Sequence, residues 1–184
     1  MTDRGSGLEA AWYRGSPWLW LLLPLEVLFL SVAAMRRWFY RSGLLSTYRA
    51  ARPVVVVGNI TVGGTGKTPF VVWLARWLTA RGFSPGIVSR GYGGSASTPL
   101  NVLPDADPIL VGDEAPLLAR RSGVPVVVGK RRVDAVQLLL ETAPVNIIIS
   151  DDGLQHYAMS RDIEINTYSE AYPQYGALEP NCRY

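Results

Sequence analysis

Gly58-Asn59-Ile60-Thr61-Val62-Gly63-Gly64-Thr65-Gly66-Lys67-Thr68-Pro69 is the stretch on which the fold turns. Before it stands Pro53-Val54-Val55-Val56-Val57, a β-branched run of the kind that forms a strand buried on both faces. After it, Pro69 to Arg81 is rich in apolar residues and closes at Gly82. That pattern predicts a helix with proline in its first turn, where the missing N–H costs nothing.

A glycine-rich loop between a strand and a helix is built to hold phosphate. Gly63, Gly64 and Gly66 let backbone N–H groups converge on anionic oxygens, and the helix N-terminus adds roughly half a positive charge. Lys67 would reach the terminal phosphates of a nucleotide, and the Thr68 hydroxyl would ligate Mg²⁺. The strict G-x-x-x-x-G-K-[ST] pattern has glycine where this chain has Thr61, so the candidate nucleotide-binding segment runs Thr61, Val62, Gly63, Gly64, Thr65, Gly66, Lys67, Thr68. Lys67 and Lys130 are the two lysines; the other sixteen cations are arginines.

Downstream, short apolar runs alternate with helical patterns. Ile87-Val88-Ser89 predicts a strand leading into Arg90-Gly91-Tyr92-Gly93-Gly94, and residues 95–108 read as a connection. Glu114 to Arg121 predicts a helix, Pro125 to Val128 a strand, Arg131 to Glu141 a helix and Asn146 to Ile149 a strand. The sum is an α/β fold of P-loop NTPase type, a mainly parallel sheet with helices on both faces, preceded by an N-terminal hydrophobic membrane helix. Ligands bind such sheets beyond the carboxyl ends of the strands.

One of those ends carries Ser150-Asp151-Asp152-Gly153. Adjacent aspartates repel unless a cation lies between them, so Asp151 and Asp152 are candidate metal carboxylates beside Thr68. A plain Asp-Asp-Gly turn is the competing reading.

The long phosphate-loop motif, Ser89-Arg90-Gly91-Tyr92-Gly93, Val111-Gly112-Asp113-Glu114-Ala115-Pro116 and Asp151-Asp152-Gly153-Leu154-Gln155-His156 occur in that order. Together with a preceding apolar helix they resemble the tetraacyldisaccharide 4'-kinase family of lipid A biosynthesis over roughly residues 12–165. The resemblance implies transfer of a phosphoryl group from ATP, with Mg²⁺, to the 4'-hydroxyl of a tetraacylated glucosamine disaccharide 1-phosphate. It implies a place at the cytoplasmic face of the bacterial inner membrane, with that membrane's lipids as partners. It also implies that Asp113 takes the hydroxyl proton, that Tyr92 helps hold the acceptor, and that Arg131 or Arg132 faces phosphate. Asp113 could equally be a helix N-cap, and His156, the one histidine, either touches the site or belongs to a turn. Two other functions compete: a P-loop ATPase or GTPase switch, and a non-catalytic fragment that binds nucleotide and membrane. The chain has no Asn-Lys-x-Asp segment to read guanine.

The N-terminus is of different composition. Pro17 to Met35 holds one charge, Glu26, and is followed by Arg36-Arg37-Trp38-Phe39-Tyr40-Arg41. At about 1.5 Å per residue, nineteen helical residues just match a hydrocarbon core of about 30 Å. Pro24 and the mid-segment carboxylate favour a helix lying in one leaflet over a full span. A cleaved signal peptide and a helix buried in a soluble core are the alternatives.

Residues 1–52 carry seven arginines against three acids, which suits anionic headgroups; from Pro144 onward six acids face two arginines. There is no compact basic stripe with interleaved aromatics in the central part, so no nucleic-acid partner is expected. The single cysteine, Cys182, rules out an internal disulfide and receives no role. The expected organisation is a membrane-associated segment over 1–52, a kinase domain over 53–165 and an unmatched tail over 166–184. The resemblance implies a second lobe after residue 165 that this tail does not match.

Overall fold

The structure, a computed structural model, describes residues 23–59 and 66–167. Expectations for Thr61 to Thr65, for Pro17 to Leu22 and for the tail with Cys182 lie outside the described residues.

Helix α1 spans Leu23–Arg41. Its apolar side chains are exposed on all sides, with Leu25 at 64% and Phe29 at 70%, so the expected alternative of a buried core helix does not hold. Among the described residues no helix is long and apolar enough to cross a membrane.

The chain divides into two compact units, Met1–Ser46 and Thr47–Tyr184, a boundary six residues earlier than expected. The reason is Tyr48, which forms a parallel bridge with Met159 and exchanges 2.8 Å hydrogen bonds with Ala158 and Ser160. Tyr48 and Ala50 also pack on the core of the second unit.

That unit is built on one sheet. Its strands are β1 (Val54–Gly58), β2 (Pro85–Ser89), β3 (Leu100–Asn101), β4 (Val126–Val128), β5 (Ile147–Asp151) and β6 (Ile163–Asn166). Across the sheet the order is β3-β4-β2-β5-β1-β6, parallel throughout except for β3 against β4. Four helices connect them: α2 (Lys67–Thr79), α3 (Pro108–Val111), α4 (Glu114–Ser122) and α5 (Arg132–Thr142).

Strand periodicity sorts the valines between two cores. Val55 and Val57 join Ile87, Val126 and Ile149 under α2 and α4, while Val54 and Val56 join Val88, Val127 and Ile148 under α5. Each fully buried valine contributes about 1.5–3 kcal/mol, enough to offset the roughly 1–2 kcal/mol of backbone entropy its ordering costs. Both faces are covered, as a continuous β-branched run demands.

Local differences from the sequence reading have simple causes. Helix α2 begins at Lys67, two residues before Pro69, because Gly66 takes the N-cap position with φ +73°. The connection over 95–108 contains β3 and leads into α3, whose N-cap Asp107 accepts from Ile109 N–H at 2.9 Å. A two-residue strand carries too few alternations to be visible as a pattern.

Helix α5 lies close to β2 at Gly86. A Cβ there would come within 2.8 Å of both Leu139 and Val145. Gly86→Ala should therefore cost about 1–3 kcal/mol through overpacking, measured as a lowered denaturant midpoint with an unchanged slope. An unchanged midpoint would mean that this contact is slack.

Candidate active site

The site forms where β1, β2 and β5 end side by side. In the β1–β5 ladder Val57 stands opposite Asp151, so the residues following each strand emerge at the same edge. From β1 the chain passes to Gly66 and Lys67, and from β5 it delivers Asp151 and Asp152. Lys67 Nζ lies 2.8 Å from Asp152 Oδ1, an ion pair between residues 85 positions apart.

Helix α2 presents its N-terminus at this edge. Among the described residues no side chain caps it, and its first turn holds no acid. Its leading amides are thus open to an anion, and Thr68 sits half-buried in the first turn. The Lys67–Asp152 pair is partly exposed, with side chains 22% and 60% accessible, and pairs of this kind are worth about 0–1 kcal/mol. A phosphate could take the ammonium from Asp152 at little cost.

Asp151 differs from its neighbour. Its residue is 3% exposed, and burial pushes its carboxyl up from 3.8 to about 6. Glu114 and then Asp152 add to the rise, while Lys67 and Arg132 oppose it. A buried carboxylate with two more acids in its field is a place that favours a cation. Among the described residues no cluster of three His, Cys, Asp or Glu side chains could hold a metal by itself. A magnesium ion does not need one, because it keeps waters and binds through one or two carboxylates plus phosphate. Asp151, Asp152 and Thr68 fit that requirement.

The turn after β5 is tightly specified. Asp152 has φ +53°, a left-handed conformation that aspartate tolerates better than most residues. A Cβ on Gly153 would lie 2.5 Å from Ser150 Oγ, and one on Gly58 would lie 2.6 Å from Leu154. The end of β1 and the loop after β5 are thereby packed together.

Arg132 does not stand where a phosphate contact would. It is 2% exposed; Nη2 donates to Asp151 O at 2.7 Å and Nη1 to Gly129 O at 3.1 Å. Since β2 lies between β4 and β5, this guanidinium ties the ends of two non-adjacent strands and holds the backbone of Asp151. Its Nε has no partner among the described residues, and burial lowers its pKa to about 10, with Asp151 and Asp152 opposing. Arg131, by contrast, is exposed and pairs with Asp134 at 3.4 Å. Of the two arginines, Arg131 is the one a ligand can reach.

Asp113 stands at the N-cap of α4 with helical φ and ψ and makes no side-chain capping bond. The capping alternative is therefore not used, and its carboxylate is exposed. The loop before it is placed by close backbone contact: a Cβ on Gly112 would collide with Tyr92 O, and one on Gly94 would lie 2.6 Å from Leu110 O. Tyr92 itself is 85% exposed. His156 is half-buried in a turn, its amide donating to Gly153 O at 3.0 Å.

Glu114 does not stand out in the sequence, though it is the first charge to act on Asp151 after burial. The signal is present in Gly112-Asp113-Glu114, whose second acid reads as an ordinary first-turn helix residue.

The chain is similar to known proteins. The family model LpxK, Tetraacyldisaccharide-1-P 4'-kinase, matches residues 18–172. A tetraacyldisaccharide 4'-kinase of Nitrosococcus oceani is 54% identical over 166 residues, covering 90% of this chain and 49% of that protein. One of Aeromonas salmonicida is 55% identical over 159 residues, covering 86% and 48%. The chain thus spans about half the length of the curated relatives it matches. A crystal structure of "apo" form LpxK from Aquifex aeolicus in complex with ATP superposes with a TM-score of 0.72 at 35% identity, over 79% of this chain and 47% of that one.

The raised carboxyl of Asp151 makes a pH prediction. Its folded pKa exceeds its unfolded value, so its contribution to stability is full below about 3.8 and lost as pH rises through about 6. In ligand-free protein with chelator, Asp151→Asn should raise the melting temperature at pH 8 and leave it nearly unchanged at pH 4. A drop at pH 8 would show that the ionised carboxylate stabilises the empty site.

Proposed function

The chain belongs to the tetraacyldisaccharide-1-P 4'-kinase family, and on that premise we propose that it takes part in ATP-dependent 4'-phosphorylation of a tetraacylated glucosamine disaccharide 1-phosphate. The observation that carries the reading is the meeting of Lys67 with Asp152, 2.8 Å apart, beside the buried Asp151 and the uncapped start of α2. The relative solved in complex with ATP supports ATP as the donor.

In this reading the amides that open α2 and the Lys67 ammonium grip the nucleotide's phosphates. Thr68 and the Asp151–Asp152 pair would hold Mg²⁺, and the ion would supply positive charge against the phosphates. Glu114 extends that acidic field. Asp113, unused as a cap, accepts the proton of the 4'-hydroxyl as its oxygen bonds to the γ-phosphorus and the bond to the β–γ bridging oxygen breaks, leaving ADP. The transferred group is positioned and its charge stabilised, which is most of what phosphoryl transfer needs. Exposed Tyr92 and Arg131 face the acceptor side, and Arg132 holds the strand from beneath.

The lipid acceptor calls for a membrane surface. The exposed apolar residues of α1, followed by Arg36, Arg37 and Trp38, suit a helix lying in the cytoplasmic leaflet of the bacterial inner membrane.

Labelled ATP and the disaccharide acceptor, in detergent, should yield labelled lipid, and Asp113→Ala should lower the rate by about 10²-fold or more. Retention of the full rate by Asp113→Ala would refute the base assignment. GTP supporting the reaction as well as ATP would refute the donor.

A further inference from the structure

Helix α2 is exposed along the face turned away from the sheet. Trp73 and Trp77 stack there with ring centroids 6.1 Å apart, Phe70, which packs on the core, extends the row at 5.5 Å from Trp73, and the Arg81 guanidinium lies 3.5 Å over the Trp77 ring. Trp73 is 53% and Trp77 38% exposed. Two aromatic rings of this size on one turn of a soluble helix forgo several kcal/mol of burial between them, on the order of 1.5–3 kcal/mol for each large apolar side chain.

Beside this row an open groove of about 390 Å³ lies between α2 and α4, lined by Pro69, Val72, Arg76 and Arg121 and closed at one end by Thr68, where it meets the candidate nucleotide site. Neither arginine has an ion-pair partner among the described residues. Repulsion between two cations facing one groove is relieved by an anion. Helix α2 itself carries no Asp or Glu: between Glu26 and Asp105 the sequence has none, yet it has nine Lys and Arg residues.

Tryptophan and arginine on one helix face, without a carboxylate, is the composition of the headgroup layer of an anionic membrane. There the indole sits with its apolar body inward, and each cation gains from the negative surface potential. Helix α1 carries the same combination in Arg36, Arg37, Trp38 and Phe39.

We propose that the exposed face of α2, with the α2–α4 groove, is a second lipid-docking surface that binds anionic phospholipid headgroups through Arg76, Arg81 and Arg121 and seats Trp73 and Trp77 at headgroup depth. The proposal concerns the protein's bulk membrane contact and stands whether or not the kinase reading holds. It makes this face a membrane support in its own right.

The test uses the whole chain carrying Cys182→Ser, with an environment-sensitive NBD label at either Ala80→Cys, beside Trp77, or Glu141→Cys, on α5 across the sheet. Vesicles of phosphatidylglycerol and phosphatidylethanolamine should raise emission at position 80 about twofold with a blue shift, and leave position 141 unchanged. Phosphatidylcholine vesicles should give a much smaller response. The triple variant Arg76→Gln, Arg81→Gln, Arg121→Gln should weaken the response at position 80 about tenfold or more in lipid concentration, while a single cooperative melting transition persists, lowered slightly by loss of the Arg81–Trp77 stack. A silent label at position 80 on protein that still sediments with vesicles would overturn the proposal. So would an equal response produced without lipid, whether by raising protein concentration, by inorganic phosphate at matched ionic strength, or by duplex DNA.

Discussion

The parallel pairing of β1 with β5 is the constraint on which the rest of the structure depends. Val57 opposite Asp151 fixes, to within one residue, where the chain leaves each strand. A slip of one position would turn every valine of β1 to the wrong core and move the carboxylates away from Lys67. The two cores hold the register, because Val54 and Val56 bury themselves in one while Val55 and Val57 bury themselves in the other. Hydrophobic alternation thus sets where an ammonium meets two acids, one buried and one exposed.

Charge at the site is held in balance by burial. Asp151 has its carboxyl raised by burial and by Glu114, and the buried guanidinium of Arg132 answers it from the backbone side. Arg132 donates to main-chain carbonyls, so it braces the end of β5 without competing for the carboxylate itself. Asp152 stays in solvent and pairs with Lys67, an interaction weak enough to be exchanged for phosphate. One aspartate is fixed and the other is exchangeable. That division suits a site that must be ordered before its ligand arrives.

Much of this is readable in the residues. The valine run, the glycine loop and the apolar run ending in Asp151-Asp152 each combine a strong local pattern with a strong chemical reason, and the strands and helix around them fall where expected within two residues. What escapes has a signal that is short or tertiary. β3 is two residues long and exists because β4 offers it an edge. Arg131 and Arg132 are adjacent identical residues, and no local pattern says which is buried; only the carbonyls of Gly129 and Asp151 decide it. Tyr48 looks like part of the basic N-terminal segment, yet its backbone pairs with Met159, more than a hundred residues away. Glu114 is easily passed over because a first-turn glutamate has an ordinary explanation, while its effect on Asp151 is a through-space one.

Everything at the site turns on whether the edge shared by β1 and β5 holds a nucleotide's phosphates. Calorimetric titration of the folded chain with ATP, with and without Mg²⁺, measures this directly. Saturable binding of one equivalent, strengthened by Mg²⁺ and abolished in Lys67→Ala, is the predicted result. No heat from well-folded protein, or an isotherm that Lys67→Ala leaves unaltered, would contradict it.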